Sequence, residues 1–323
     1  MAKGPVPGID PALATRLGQS RDGQPLSYNR LPAADIAPWV AWVYVASVEM
    51  PADYTLNCHV LSDTSFIRIQ LQGEWEADTR DGMLRRGRGA LHFGPQSKAM
   101  PIRVTGTFTS LGLAIRPGAG YAAIRQPSCD FVDQIRECAD LGLPFDRLLD
   151  SFDPAAGPED WLQVLEAGVR SYIMANNLPP PDPVTRRFER LALIDPAASV
   201  ASFAEECGIT LRSLERICRR DFGLSPKQVL RRARALDMAS HLRGVADEAE
   251  ADELALRYYD QSHLIREFTQ LFGMSPRQFV ETPQPLMTLA LESRQSRRLA
   301  LLDRLEPGQP RPWENPTSAP AVD

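Results

Sequence analysis

Between Leu211 and Arg234 the chain concentrates eight basic side chains: Arg212, Arg216, Arg219, Arg220, Lys227, Arg231, Arg232 and Arg234. Only Glu215 and Asp221 oppose them, so this short stretch carries an excess of six positive charges. Guanidinium and ammonium groups make charge-assisted bonds to phosphate oxygens. On a helix that enters the major groove, an arginine fork also matches guanine, and a glutamate accepts from cytosine. A solvated helical face has the same composition, so charge alone leaves both readings open. The 323-residue chain as a whole carries a formal net charge of −5. Nucleic-acid binders usually carry basic surface, so any such contact here must be local.

The elements that would position these groups are legible. Phe222-Gly-Leu-Ser-Pro-Lys-Gln228 returns as Phe272-Gly-Met-Ser-Pro-Arg-Gln278. A block recurring at this spacing marks a supersecondary unit used twice. In the first copy Phe203–Cys207 reads as a short helix, and Gly208 supplies a turn with positive φ. Thr210 caps a helix from Leu211 to Asp221. Leu214 and Ile217 face inward there, while Arg212, Ser213, Glu215, Arg216 and Arg219 face outward. Ser225-Pro226 opens a long helix, Pro226 to Leu242. In the second copy Asp252–Leu256 is the first helix and Asp260 caps residues 261–271. Leu264, Phe268 and Leu271 form its inner stripe; Gln261, Ser262, His263, Ile265, Arg266 and Gln270 lie outside it. Each copy reads as a helix-turn-helix.

Other chemistry finds little support. His59 and His92 stand apart with no HxH pair, which argues against a metal-binding catalytic domain, and no metal or cofactor is expected. Glu74 and Glu76 flank Trp75 on one strand face and fit an exposed edge better than an acid–base pair. No GxSxG, HExxH, phosphate-loop or dinucleotide fingerprint is present. Five cysteines (Cys58, Cys129, Cys138, Cys207, Cys218) with no CxxC spacing fit reduced thiols and a cytoplasmic location. The N-terminus has no signal-like apolar core, and no stretch is long and apolar enough to span a membrane.

The organisation is two-part. Residues 1–27 read as a flexible arm and residues 28–176 as a β-rich domain followed by helices. Its strands are expected at Val40–Val45, Tyr54–Val60, Phe66–Leu71, Gly73–Glu76, Ala90–Phe93, Ile102–Val104 and Leu111–Ile115, its helices at Ala119–Arg125, Phe131–Leu141 and Asp160–Met174. Asn177–Pro183 is a Pro-rich linker. Residues 184–289 hold the two helix-turn-helix units. Residues 290–323 read as a mostly disordered tail that starts with a basic amphipathic helix, Glu292–Leu305. The fold class is α+β multidomain: an N-terminal β-rich barrel and an all-α C-terminal domain.

Ala204-x-x-x-Gly208, Leu214-x-Arg216, Phe222-Gly-Leu-Ser-Pro226, Tyr259-Asp-Gln-Ser-His263-x-x-Arg266-x-Phe268 and Phe272-Gly-Met-Ser-Pro276 together resemble the AraC/XylS family of transcriptional regulators over about residues 185–285. The resemblance implies two recognition helices set in successive major grooves. Carried to matching positions, the base readers are Arg212, Ser213, Glu215, Arg216, Gln261, Ser262, His263 and Arg266. Phosphate contacts fall to Arg219, Arg220, Lys227, Arg231 and Arg277. Two departures stand out. Cys218 replaces an aromatic residue, and the second unit lacks the expected turn glycine: Ala255-Leu-Arg-Tyr-Tyr259 is either shorter than the family pattern or puts Arg257 where glycine belongs. Residues 31–143 resemble the cupin-like sensor domain of such regulators. In a barrel mouth, Trp42, Tyr44, Trp75 and Phe93 are the ligand-lining candidates. The expected partners are double-stranded DNA, a small-molecule effector, RNA polymerase and a second copy of the chain, with activation and repression both open. The alternatives are a ligand-independent regulator controlled by a protein partner, and a cupin-type enzyme with secondary DNA binding.

Overall fold

In the computed structural model, residues 6–15, 17–247, 261–305 and 309–315 are described. Nine strands lie among them: β1 (Ala14–Thr15), β2 (Tyr28–Arg30), β3 (Val40–Glu49), β4 (Thr55–Val60), β5 (Phe66–Thr79), β6 (Gly82–Arg86), β7 (Gly89–Phe93), β8 (Met100–Ile115) and β9 (Ile135–Glu137). All pair antiparallel. The main order is β1-β3-β8-β5-β7-β9, with β2 on β3, β4 on β8 and β6 on β5. Two pairs of strands expected as separate merge. Phe66–Leu71 and Gly73–Glu76 are one strand, and Ile102–Val104 joins Leu111–Ile115. Gly73 makes the first merger work. Its φ is +96°, and a Cβ there would meet Phe108 Cβ at 2.8 Å and the Thr107 carbonyl at 2.9 Å. The ladder shifts register at this bend, so both long strands turn from one half of the sheet into the other.

Both faces of this sheet are covered, and that blurs its alternation. One face encloses a core of Val48, Leu56, Val60, Phe66, Trp75, Phe93, Ile102, Val104 and Phe108. The opposite face (Val43, Val45, Ile67, Ile69, Leu111, Leu113) packs under α2 (Pro158–Asn176), which contributes Leu162, Leu165 and Val169. The short helix α1 (Ala119–Ile124) precedes it. The helix expected over Phe131–Leu141 does not form. There the chain makes a 3-10 turn (Ser128–Phe131), strand β9 and a second 3-10 turn (Ala139–Leu141). Pairing Ile135 with Phe93 completes the sheet edge and buries Ile135, so tertiary pairing overrides the local pattern.

His92 sits on β7, fully enclosed, with its ring edge-on to Phe131 and no partner at Nδ1. Burial pushes its pKa down to about 4. The native imidazole therefore stays neutral where the unfolded chain takes up a proton. Stability from this group is complete above pH 6.5 and is lost as pH falls toward 4. In urea unfolding at pH 7 and pH 4, His92→Leu should remove about 3 kcal/mol of the pH-dependent loss. An unchanged pH slope would refute this.

Helices α3 (Pro183–Ile194), α4 (Val200–Glu206), α5 (Leu211–Phe222) and α6 (Pro226–Leu242) build the first half of the C-terminal region. Their core is Phe188, Phe203, Ala204, Leu214, Cys218, Phe222 and Leu230. Cys218, in the place of an aromatic residue, is fully buried. After residue 260 come α7 (Gln261–Phe272), α8 (Pro276–Glu281) and α9 (Pro285–Leu301). Phe268 and Phe272 stack at 4.2 Å, and Phe279 meets both edge-on at 5.2–5.3 Å.

The two ends of the chain depart most from expectation. The N-terminal arm is tied down: Gly8 donates its N–H to the Val280 carbonyl, β1 pairs with β3, and Leu26 is buried. The basic helix of the tail starts earlier than expected and is buried on nearly every side. Leu286 and Leu289 join the core on the first face of the sheet, while Met287, Leu291 and Leu299 join α6, α7 and α8. Its arginines point inward because each finds a carboxylate. Arg294 pairs with Asp237, and Arg297 bridges Asp63 (3.0 Å) and Glu189 (2.9 Å). Glu292, also buried, accepts from Ser27, Asn29 and Arg311. Beyond the helix, Trp313 is buried too.

Candidate nucleic-acid interface

The first reading unit is built by local rules. Ser199 caps α4 by accepting from the Ser202 N–H, and Gly208 takes the turn at φ +64°. The Thr210 hydroxyl accepts from the Ser213 N–H at 3.1 Å and opens α5. Leu214 and Cys218 turn inward. Arg212 and Arg216 are exposed, and among the described residues neither forms an ion pair. Ser213 and Glu215 are half-buried beside them. Glu215 holds Arg219 at 3.0 Å, one turn along.

The far end of α5 is occupied. Arg220 grips Asp221 through two bonds (2.6 and 2.8 Å) and stacks over Tyr121 of α1. The Ser128 hydroxyl donates to the Asp221 carbonyl. Gly223 ends the helix at φ +74°, with Pro95 and Ser128 close against it. The N-terminal region thus covers the C-terminal half of α5 and leaves its N-terminal half open. Of the eight basic residues, Arg232 is fully buried, donating to the Gln96 and Asp63 carbonyls, and burial lowers its pKa to about 10. Arg234 donates to the Pro196 carbonyl. Lys227 is exposed, and Arg231 is half-buried with an unpartnered Nε. The local basic surface is therefore carried mainly by Arg212, Arg216, Arg219 and Lys227.

In the second unit Leu264, Phe268 and Leu271 are buried, with Ile265, Arg266 and Gln270 exposed on the other face of α7. Gln261, Ser262 and His263 lie on the helix, but their side chains fall outside the described residues. So do the helix at 252–256, Arg257 at the expected turn and the Asp260 cap. Ser275 opens α8 with a reciprocal cap to Gln278, the same device that Ser225 and Gln228 use at α6. Arg277 is exposed and pairs with Glu281 at 2.8 Å.

Residues 203–282 match the family model described as a helix-turn-helix domain. The chain carries an AraC-type helix-turn-helix domain. No curated protein matches the chain. Among solved structures, an apo form of ToxT from Vibrio cholerae is similar over 74% of this chain and 98% of its own, at 11% identity and a TM-score of 0.44. Unsaturated fatty acid-bound ToxT from the same organism covers 74% of this chain and 94% of its own, at 10% identity and 0.41. The AraC-like transcriptional activator CuxR covers 65% and 86%, at 14% and 0.26.

Outside the helix-turn-helix domain, a cavity of about 70 Å³ lies between the sheet and α9. Trp42 and Tyr44 line it; Trp75 and Phe93 do not. Those two stack behind it with Phe66 (Phe66–Phe93 4.4 Å, Trp75–Phe93 5.6 Å). The sequence reading missed Phe66, Arg68 and Phe108, and Arg294 and Arg297 from α9. Arg68 did carry a signal: it is the one cation of β5, set between Ile67 and Ile69. Glu76 does not pair with Glu74; it is held by Arg85 (2.7 Å) and Arg103 (3.1 Å). His59 hydrogen-bonds Gln284. Among the described residues, no group of three or more His, Cys, Asp or Glu side chains is placed to hold a metal, and no helix is long and apolar enough to cross a membrane.

Proposed function

We propose that this protein is a sequence-specific DNA-binding transcription regulator whose N-terminal domain takes a small molecule. The observation that carries the DNA part is the open N-terminal half of α5. It presents Arg212, Ser213 and Arg216, with Arg212 and Arg216 free of carboxylates among the described residues, on the helix that the family model identifies with a helix-turn-helix. Residues at the start of such a helix meet base edges in the major groove. Glu215 reads alongside them, and Gln261, Ser262, His263 and Arg266 are the corresponding readers of α7. Arg219, Lys227, Arg231 and Arg277 set the backbone register, and Arg220 joins them only by releasing Asp221. The cavity against α9 supports the small-molecule part, since it is unfilled by side chains and touches both regions. A homodimer and contact with RNA polymerase rest on the family resemblance alone. So does the division into residues 28–176 and 184–289, which the many contacts across α9 make a division of labour more than of packing.

Two substitutions separate reading from positioning. Arg216→Ala should weaken binding to the preferred site by about 1–3 kcal/mol and relax preference at one base pair. Lys227→Ala should weaken binding to all sequences and lower the salt slope by about one. Fluorescence anisotropy on matched and single-mismatch duplexes across a salt series measures both. An unaltered base preference in the Arg216 variant would remove it from the readers. A wild-type salt slope in the Lys227 variant would remove that contact.

A further inference from the structure

Helix α9 starts just past the matched helix-turn-helix segment, yet it forms one wall of the cavity in the N-terminal region. The opposite wall holds Arg68. Its guanidinium carbon stands 5.0 Å from the Phe93 ring centre, 5.8 Å from Phe66 and 5.9 Å from Trp75. Its Nε is buried without a hydrogen-bond partner. No carboxylate pairs with Arg68 among the described residues, whereas each arginine of α9 has one. Arg68 is half-buried and stands against the Tyr44 hydroxyl. A cation among rings is partly stabilised by their faces, but one turned into a cavity with its Nε dry is best completed by an anion. Gly112 is the register partner of Arg68, and a Cβ there would meet the Ile67 carbonyl at 2.1 Å and the Tyr44 hydroxyl at 2.7 Å, so the glycine lets Tyr44 lie close beside Arg68. The space for an anion is the cavity that Arg68 and Tyr44 both line.

The lining has a definite chemistry. Three arginines (Arg68, Arg294, Arg297) face one acid, Asp63, which Arg297 and Arg294 already neutralise. Trp42, Phe66, Phe108, Leu286 and Leu289 supply apolar walls. Ser27, Ser62, Thr64, Ser110 and Ser293 add hydroxyls to the lining. With Arg294 and Arg297 already paired, the one guanidinium without a carboxylate suits a singly charged carboxylate better than a phosphate, whose second charge would go unmatched. The size is limiting. At about 10–15 Å³ for each water on this scale, the cavity holds roughly five to seven waters, so its occupant is a compact acid.

We propose that this cavity binds a compact organic monocarboxylate, with the carboxylate on Arg68 and the apolar body between the aromatic side chains of the sheet and α9. This rests on the reading that the N-terminal region takes a small molecule, and it makes the helix beyond the helix-turn-helix domain part of the binding site. The ligand then touches the element that also packs on α6, which runs between the two reading units.

The test titrates the full chain with propionate, isobutyrate, isovalerate and hexanoate, followed by calorimetry and by tryptophan fluorescence, since Trp42 lines the site. Isovaleramide and hexanamide serve as uncharged controls. At least one acid should bind saturably, with its amide weaker by about tenfold or more. Arg68→Met should produce the same loss. Ala290→Leu, which fills the cavity from α9 and leaves Arg68 in place, should abolish binding and decides the matter if the Arg68 variant does not fold. Absence of saturable binding by every acid overturns the proposal, as do amides binding as tightly as acids or wild-type affinity in Ala290→Leu. DNA selection with the same protein is read separately. An intact DNA motif with failed acid binding removes only the ligand class, and acid binding without a DNA motif removes only the DNA reading.

Discussion

A chain ending at Gln284 is expected to lose most of its folding free energy. Helix α9 buries Leu286, Met287, Leu289, Leu291 and Leu299 to 7% exposure or less. At about 1.5–3 kcal/mol for each such side chain, their burial is worth roughly 7–15 kcal/mol, an upper estimate measured against an extended unfolded chain. That is the scale of the whole stability of a typical domain. The loss is also structural, because Leu286 and Leu289 complete the sheet core that Val60, Phe66 and Phe108 begin. The truncated chain should be largely insoluble, or should melt broadly and bind a hydrophobic dye at room temperature. A melting temperature within a few degrees of the full chain would contradict the view that α9 is part of the core.

Arg297→Ala should destabilise the protein by about 3–5 kcal/mol. Its side chain is 6% exposed and joins three parts of the chain: Asp63 after β4, Glu189 of α3 and its own helix. Removing it leaves two carboxylates in a low-dielectric environment with reduced compensation. Arg116 still reaches Glu189 at 2.9 Å, and Arg294 still reaches Asp63 at 3.5 Å, which places the effect toward the lower end. Urea unfolding measures it directly. Arg297→Lys should recover part of the loss, since an ammonium restores the charge but cannot fork between both acids. A loss under about 1 kcal/mol in the alanine variant would mean the bridge behaves as an exposed pair.

The helix-turn-helix was legible because its signals are local. Thr210, Gly208, Ser225-Pro226 and Ser275-Pro276 act within one turn of the chain, and the structure places each at the cap or turn its chemistry favours. The inner stripe of α7 was readable for the same reason. What escaped was long-range. The arginines of α9 look like a solvent-facing row until Asp63, Glu189 and Asp237 are brought to them from three distant segments. Arg232 and Arg234 look like surface charge until backbone carbonyls of other elements accept from them. Ile135 reads as helix until Phe93 offers it a strand edge. The cavity was half visible: Trp42 and Tyr44 were named, while Arg68 lies on a strand whose two faces are both buried, Phe66 in one core and Ile67 and Ile69 in the other, so alternation does not single it out.

The most direct test of the central claim is selection of bound duplexes from a random DNA pool by the full chain at physiological salt. The account predicts a motif of two short blocks about one helical turn apart, one for α5 and one for α7. Arg216→Ala should blur a single position within one block. Recovery of no sequence preference, either alone or with the carboxylates present, would contradict it.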